Sequence, residues 1–348
     1  MIKMKKCVEL PIYEPIYSTY QYQGSGAGII NNESSVRNWY LNEVMNLRCT
    51  RSFLKGSGSP SIDILNSSLY SNPYIERNLL SAAFLNGCVG QVIRNVIDSG
   101  YYLYFTGIDD YYVKNKSLYK TRHLYHDGLI YGYNLTDKAY CIYAHDSNWL
   151  YRKFQTPQIC FTNGWKSAIK NNKNVSLYAL KLKDEDVSFS PEKIYANLSE
   201  YLNSDLEKYP LTDSGEVLGI AVHTYISEYV LKLYREEIPY RLMDWRVFRL
   251  IWEHKKVMLE RIIKVEEALH FDNTLSEKYR PLVKEADAMR MLYASHHMKR
   301  RDSVLPIISD KLLRLEKTER EILTELTEKM GKELEKNAVG ISEKQNAK

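Results

Sequence analysis

A chain of 348 residues, 44% apolar and 26% charged, has the material for one large domain or two ordinary ones. Its net charge of +5 is small for this length, and its basic residues are interleaved with acidic ones, which argues against a face built for nucleic acid. No window approaches the ~20 apolar residues of a membrane span, and the N-terminal lysines precede no signal-like apolar core, so the expected setting is cytoplasmic with no membrane contact. The five cysteines, Cys7, Cys49, Cys88, Cys141 and Cys160, are widely spaced and form no CxxC pair; neither a disulfide framework nor a metal site is expected. The 29 tyrosines read as compositional bias rather than as an aromatic-lined tunnel.

Residues 1–22 read as extended, and Gln23 to Gly28 (QGSGAG) as a glycine-rich turn. A helix is expected after Ser35, where Val36, Tyr40, Val44 and Leu47 recur at helical spacing. A second helix is expected over 75–98, with Leu79, Leu80, Ala83, Phe84, Val89, Ile93 and Ile97 on one face and Gly100 as its stop. Strands are expected near 101–106, 124–133, 139–144, 158–162 and 176–183, interrupted by a short helix over 164–170. Ser190-Pro191 then has the N-cap and N1 residues of a helix start. Helices alone are expected beyond it, over 190–204, 215–236, 244–271, 276–302 and 307–337. The resulting division is a core of 1–187, a helical region of 188–338 and a disordered tail of 339–348.

The stretch from His126 to Asp146 has the most chemistry. A histidine heads one β-prone run, a turn follows at Gly132-Tyr133-Asn134, and a second run ends in an acid. Antiparallel pairing would bring the imidazole and the carboxylate together, the orienting half of a nucleophile–His–acid triad. The bland alternative is a hairpin whose His and Asp are merely solvated.

His126, Gly132-Tyr133-Asn134 and Asp146 together resemble the histidine hairpin of papain-like proteins similar to butirosin biosynthesis protein H. The helical stretch from Asp244 to Arg261 is also similar to a segment of such proteins. The resemblance implies an α+β fold, with a papain-like core in which an N-terminal helix packs on an antiparallel sheet, followed by a helical C-terminal region. It implies a cysteine-dependent acyltransferase that forms an amide between a carrier-protein thioester and an amine, in peptide-like natural product biosynthesis of the closthioamide type. The partners would be an acyl or peptidyl carrier protein and a small amine such as a diamine. No cofactor is expected beyond the phosphopantetheine that arrives on the carrier. Rival readings are a cysteine peptidase and an inactive carrier-binding scaffold.

In that family pattern Gln23 matches the oxyanion-donating glutamine, His126 the general base and acid, and Asp146 its orienting partner. The expected nucleophile position is Ala27, which would be cysteine in the active form; as it stands, the chain is expected to be inactive. Three readings stay open: alanine replaces a natural cysteine, Ser25 is the alternative nucleophile, or Cys49 serves or nothing does. Cys49 is expected at the C-terminal end of a helix, the wrong end to stabilise a thiolate. The glycine run lacks GxGxxG spacing and a Walker lysine, so a phosphate cradle is disfavoured. His123, three residues from His126, should point to the opposite face, and His145 should turn away from Asp146. His254 reads as a solvated or packing residue, and His296 and His297 diverge too far on a helix to share a metal. Asp109 and Asp110 read as loop residues, with an acceptor-amine pocket as the alternative.

Overall fold

The computed structural model describes residues 6–56, 58–81, 85, 87–171, 174–204 and 215–346. In chain order the elements are β1 (Cys7–Glu9), α1 (Gln21–Ala27), α2 (Arg37–Glu43), β2 (Leu47–Thr50), β3 (Asp63–Ile64), β4 (Ile75–Leu80), α3 (Val89–Asp98), β5 (Tyr102–Asp109), β6 (Tyr125–Asn134) and β7 (Ala139–His145). They continue with β8 (Tyr151–Pro157), α4 (Gln158–Lys170), β9 (Ser176–Leu182), α5 (Pro191–Leu202), β10 (Glu216–Leu218), α6 (Val222–Tyr234), α7 (Val247–Ala268), α8 (Thr274–Lys299) and α9 (Val304–Asn346). The fold is α+β, with an antiparallel sheet and a helical C-terminal region. It divides into two compact units, Met1–Arg37 with Ser68–Asp186, and Asn38–Ser67 with Val187–Lys348.

The first unit is built on an antiparallel sheet of order β4-β9-β5-β6-β7-β8, with β1 added along the end of β6. Alternation along the strands puts Leu103, Phe105, Ile130, Ile142 and Ala144 on one face. Val89, Ile93 and Ile97 of α3 and Phe161, Trp165 and Ala168 of α4 cover that face. Each fully buried side chain of this kind contributes about 1.5–3 kcal/mol.

Two elements of this unit correct the sequence reading. The expected helix over 75–98 is a strand, β4, followed by α3; Ala83 and Phe84 lie outside the described residues. β4 pairs along the whole of β9 and leaves Glu76 partly and Arg77 and Asn78 openly exposed at a charged sheet edge. The strand expected at 158–162 is the first turn of α4. Ile159 to Thr162 is β-prone, but Phe161 and Trp165 meet the core four residues apart, and that tertiary contact selects the helix.

The second unit packs α5 to α9 with α2 and a small sheet of order β10-β2-β3. Ser190 caps α5 as its sequence suggests, its hydroxyl accepting from Lys193 N at 3.3 Å. Residues 38–67 belong here rather than to the first unit. Val217 of β10 pairs with Cys49 of β2, and Arg261 of α7 donates to the carbonyls of Leu41, Val44 and Tyr40 at 2.7, 3.0 and 3.2 Å. These long-range bonds, invisible to local pattern, also place Cys49 in a strand and a strand, β10, among the expected helices. α9 continues through 339–346, where a disordered tail was expected.

At the centre of this unit a carboxylate gathers four elements. Glu319 of α9 accepts from Lys255 of α7 at 2.6 Å, from Tyr201 of α5 at 3.1 Å and from Tyr279 of α8. His223 of α6 lies 3.6 Å from it, and His254 donates to Met45 O at 2.8 Å. All six side chains are completely buried. His254 is therefore a sealed core residue, not a solvated one. Burial pushes His223 down to about 3 and His254 well below the usual histidine range, with the Lys255 charge adding to both.

Candidate active site

The chemistry of the first unit gathers where β5 ends and β6 begins. Ile108 pairs with His126 and Asp109 with Tyr125, and Asp110 N extends the pairing by donating to Leu124 O at 2.8 Å. A bulge between Phe105 and Ile108 shifts the register just before this point. Gly107 within it has φ +67°, and a Cβ there would lie 3.1 Å from Asn174 O, so the position suits glycine alone.

Two aspartates at the end of one strand then meet two histidines at the head of the next. Asp110 Oδ2 lies 2.5 Å from His126 Nδ1, the carboxylate 2% exposed and the imidazole 28%. The buried ammonium of Lys116 stands 3.7 Å from the other oxygen of Asp110. With Asp110 as a carboxylate and the ring neutral, His126 Nδ1 donates and Nε2 is the acceptor. Asp109, fully buried, takes His123 Nδ1 at 2.7 Å and the Ser167 hydroxyl at 2.6 Å. In this second pair the carboxylate is central, so Ser167 bonds the aspartate and not the imidazole. His123 is also stacked on Tyr111 at 4.4 Å.

Asp146 is not the partner of His126. The β6–β7 ladder closes at the Leu129–Tyr143 pair, and Asp146 turns into its own hairpin. Its Oδ1 accepts from Asn148 N at 2.8 Å and Leu150 N at 3.0 Å, and its Oδ2 binds the Arg152 guanidinium. The turn it holds puts Trp149 at φ +59°, rare for a bulky residue, with its ring edge-on to His126 at 6.3 Å. Asp146 thus shapes the turn that sets Trp149 against His126.

The glycine-rich segment is also not where the triad needs it. It forms α1, and Ala27 is the last residue of that helix, 4% exposed, rather than at its positive N-terminal end. The Gln23 side chain is fully buried, and its oxygen accepts from Tyr20 N at 3.1 Å as part of a capping box. A Cβ on Gly24 would fall 2.4 Å from the Tyr151 ring, and one on Gly28 would fall 2.8 Å from Tyr143. The glycines therefore allow α1 to press against tyrosines of the sheet. Ser25, fully buried, shares a hydrogen bond of 3.2 Å with Tyr151 Oη, whose phenol burial pushes up.

Strand alternation separates these groups. Tyr143 pairs with Leu129, on the face that meets α1. His126 pairs with Ile108 and is two residues from Gly128, whose Cβ position faces Phe105 and Ala144, so it belongs to the opposite face. Ala27, Ser25 and His126 are not brought together. Cys49 is buried in β2, and desolvation drives its thiol far above the usual range. His145 is buried and packs edge-on to Tyr151 at 5.1 Å.

Sequence reading missed the pairing of Asp110 with His126 and the whole role of Lys116. A usable signal was present: adjacent acids closing one β-prone run and histidines opening the next. Among the described residues no group of three or more His, Cys, Asp or Glu side chains could hold a metal ion, and no helix is long and apolar enough to cross a membrane. A scan against models of known families finds no match to this chain, and a search of curated proteins also finds none.

Proposed function

We propose that the first unit is a papain-like acyltransferase core that forms amides from a carrier-protein thioester and an amine, with His126 as general base and no acyl-enzyme. The observation that carries this reading is the 2.5 Å bond from His126 to the buried Asp110, which orients a part-exposed imidazole through its Nδ1. The resemblance of the His126 hairpin to papain-like acyltransferases supplies the substrate class. The separation of Ala27 and Ser25 from His126 supports direct attack by the amine.

In the proposed step the amine nitrogen bonds to the thioester carbonyl as Nε2 takes its proton. The C–S bond then breaks, and the imidazolium returns the proton to the departing carrier thiolate. Thioester and amine become amide and thiol, so no oxidant or nucleotide is required. Asp110 stabilises the transient imidazolium.

A second reading, a carrier-binding scaffold without turnover, draws on the same separation, which puts neither Ala27 nor Ser25 beside His126. Intact-mass analysis of acyl-loaded carrier protein with a primary diamine separates the two. The acyltransferase reading expects unloading that depends on the amine and falls about 10²–10⁴-fold in His126→Ala. Complex formation without unloading would support the scaffold. Cleavage of ordinary peptides without unloading would support a peptidase.

A further inference from the structure

A groove of about 270 Å³ runs between the start of α3 and α4 on the first unit. Its floor is apolar, made by Val89, Trp165 and Ile169. Its rim has Lys166 and Lys170, one helical turn apart and both exposed, and among the described residues no carboxylate lines it. The Thr162 hydroxyl already donates to Gln158 O at 2.8 Å, so the lysines are its principal polar feature. Neither lysine has a partner among the described residues. An apolar floor beneath two cations suits an anion attached to a chain with apolar segments, such as methylene and gem-dimethyl groups. A free anion would leave the floor unused, and a neutral chain would leave the lysines unused.

The groove shares α4 with the residues around the proposed base. Ser167, next to Lys166, donates to Asp109 at 2.6 Å, and Asn171, next to Lys170, donates to Tyr125 Oη at 3.1 Å. A chain held at the lysines therefore starts on the helix that borders the paired aspartates and histidines.

We propose that this groove binds the phosphopantetheine arm of the carrier protein, with Lys166 and Lys170 on the phosphodiester and Trp165 and Ile169 against the pantetheine chain. The assignment of the anion to a carrier arm rests on the acyltransferase reading above; the charge and shape of the groove do not. Lysine–phosphate contacts at an exposed rim weaken as salt rises, so binding should as well.

The test is calorimetric titration of the full chain with pantetheine 4′-phosphate, pantetheine and inorganic phosphate, with the Trp165 indole resonance as the reporter of place. The expected result is that the phosphate ester binds at least about tenfold more tightly than either fragment and shifts Trp165. Lys166→Glu with Lys170→Glu should abolish that preference, and Lys166→Arg with Lys170→Arg should keep it. Equal binding of pantetheine and its phosphate, inorganic phosphate binding as well as the ester, or charge reversal without effect would each overturn the proposal. Because the titration reads binding and the intact-mass assay reads turnover, the two ideas fail separately. Ester binding without any acyl transfer would retain the groove and sink the acyltransferase, while acyl transfer with ester binding unaffected by charge reversal would do the opposite.

Discussion

His126 in the first unit is held through one ring nitrogen and His254 in the second through both, and only His126 reaches solvent. Lysine and carboxylate stand beside both. In the second unit Lys255 and Glu319 bond directly at 2.6 Å, with tyrosines satisfying the remaining oxygen valences, and every group is sealed. In the first unit Lys116 stands back at 3.7 Å from Asp110, which gives its short bond to a histidine at the surface. The same residue types therefore serve different ends. Direct pairing in a dry interior ties helices together and leaves nothing for a substrate. A part-exposed histidine bonded through one nitrogen to a buried carboxylate can exchange a proton.

The largest expected effect breaks the sealed cluster. Lys255→Met leaves Glu319 charged and buried without its cation, and should cost about 3–5 kcal/mol in urea unfolding. A loss well under 1 kcal/mol would mean that the pair is incidental to the second unit. The next effect is pH-dependent. His223 is held neutral, its folded value near 3 against an ordinary 6.5. A histidine depressed in this way stabilises the fold fully above pH 6.5, and that stability is lost as pH falls toward about 3, because the unfolded chain binds the proton first. Urea midpoints measured across this range should fall less steeply in His223→Asn, which keeps a donor for Ile220 O. Equal slopes in the two proteins would contradict this assignment.

Smaller effects sharpen the account of the first unit. Lys116→Met should reduce amide formation about tenfold, equivalent to ~1.4 kcal/mol, with little change in carrier KM. An altered KM at constant kcat would instead place Lys116 in carrier binding. Ala27→Cys should change least. A thiol there would be buried at the C-terminal end of α1, where nothing favours the thiolate, so it should alkylate more slowly than the exposed Cys7 and Cys88. Rapid, His126-dependent alkylation would restore the triad expected from the family pattern.

Much of the scaffold was legible from local pattern. The β6–β7 hairpin, the Ser190 cap and the long C-terminal helices follow from alternation, turn residues and helical spacing over long windows. β4 was not legible, because Ile75, Leu79 and Leu80 fit a helical face until β9 supplies a partner. Residues 38–67 were misassigned because the evidence for their place is Arg261 and β10, some two hundred residues away. At the site, His126 stood out but its partner did not. The choice between Asp110 and Asp146 depends on which carboxylate a neighbouring turn has already claimed, and no spacing rule encodes that.

The central claim is that His126, paired with Asp110, drives amine attack without a covalent enzyme intermediate. A single-turnover experiment with excess enzyme, acyl-loaded carrier and diamine, read by intact mass of every species, tests it directly. The account predicts that acyl mass passes from carrier to amine and never resides on the enzyme, and that Asp110→Asn and His126→Ala both suppress the transfer while Ser25→Ala does not. Acyl mass on the enzyme, or transfer undiminished in His126→Ala, would contradict it.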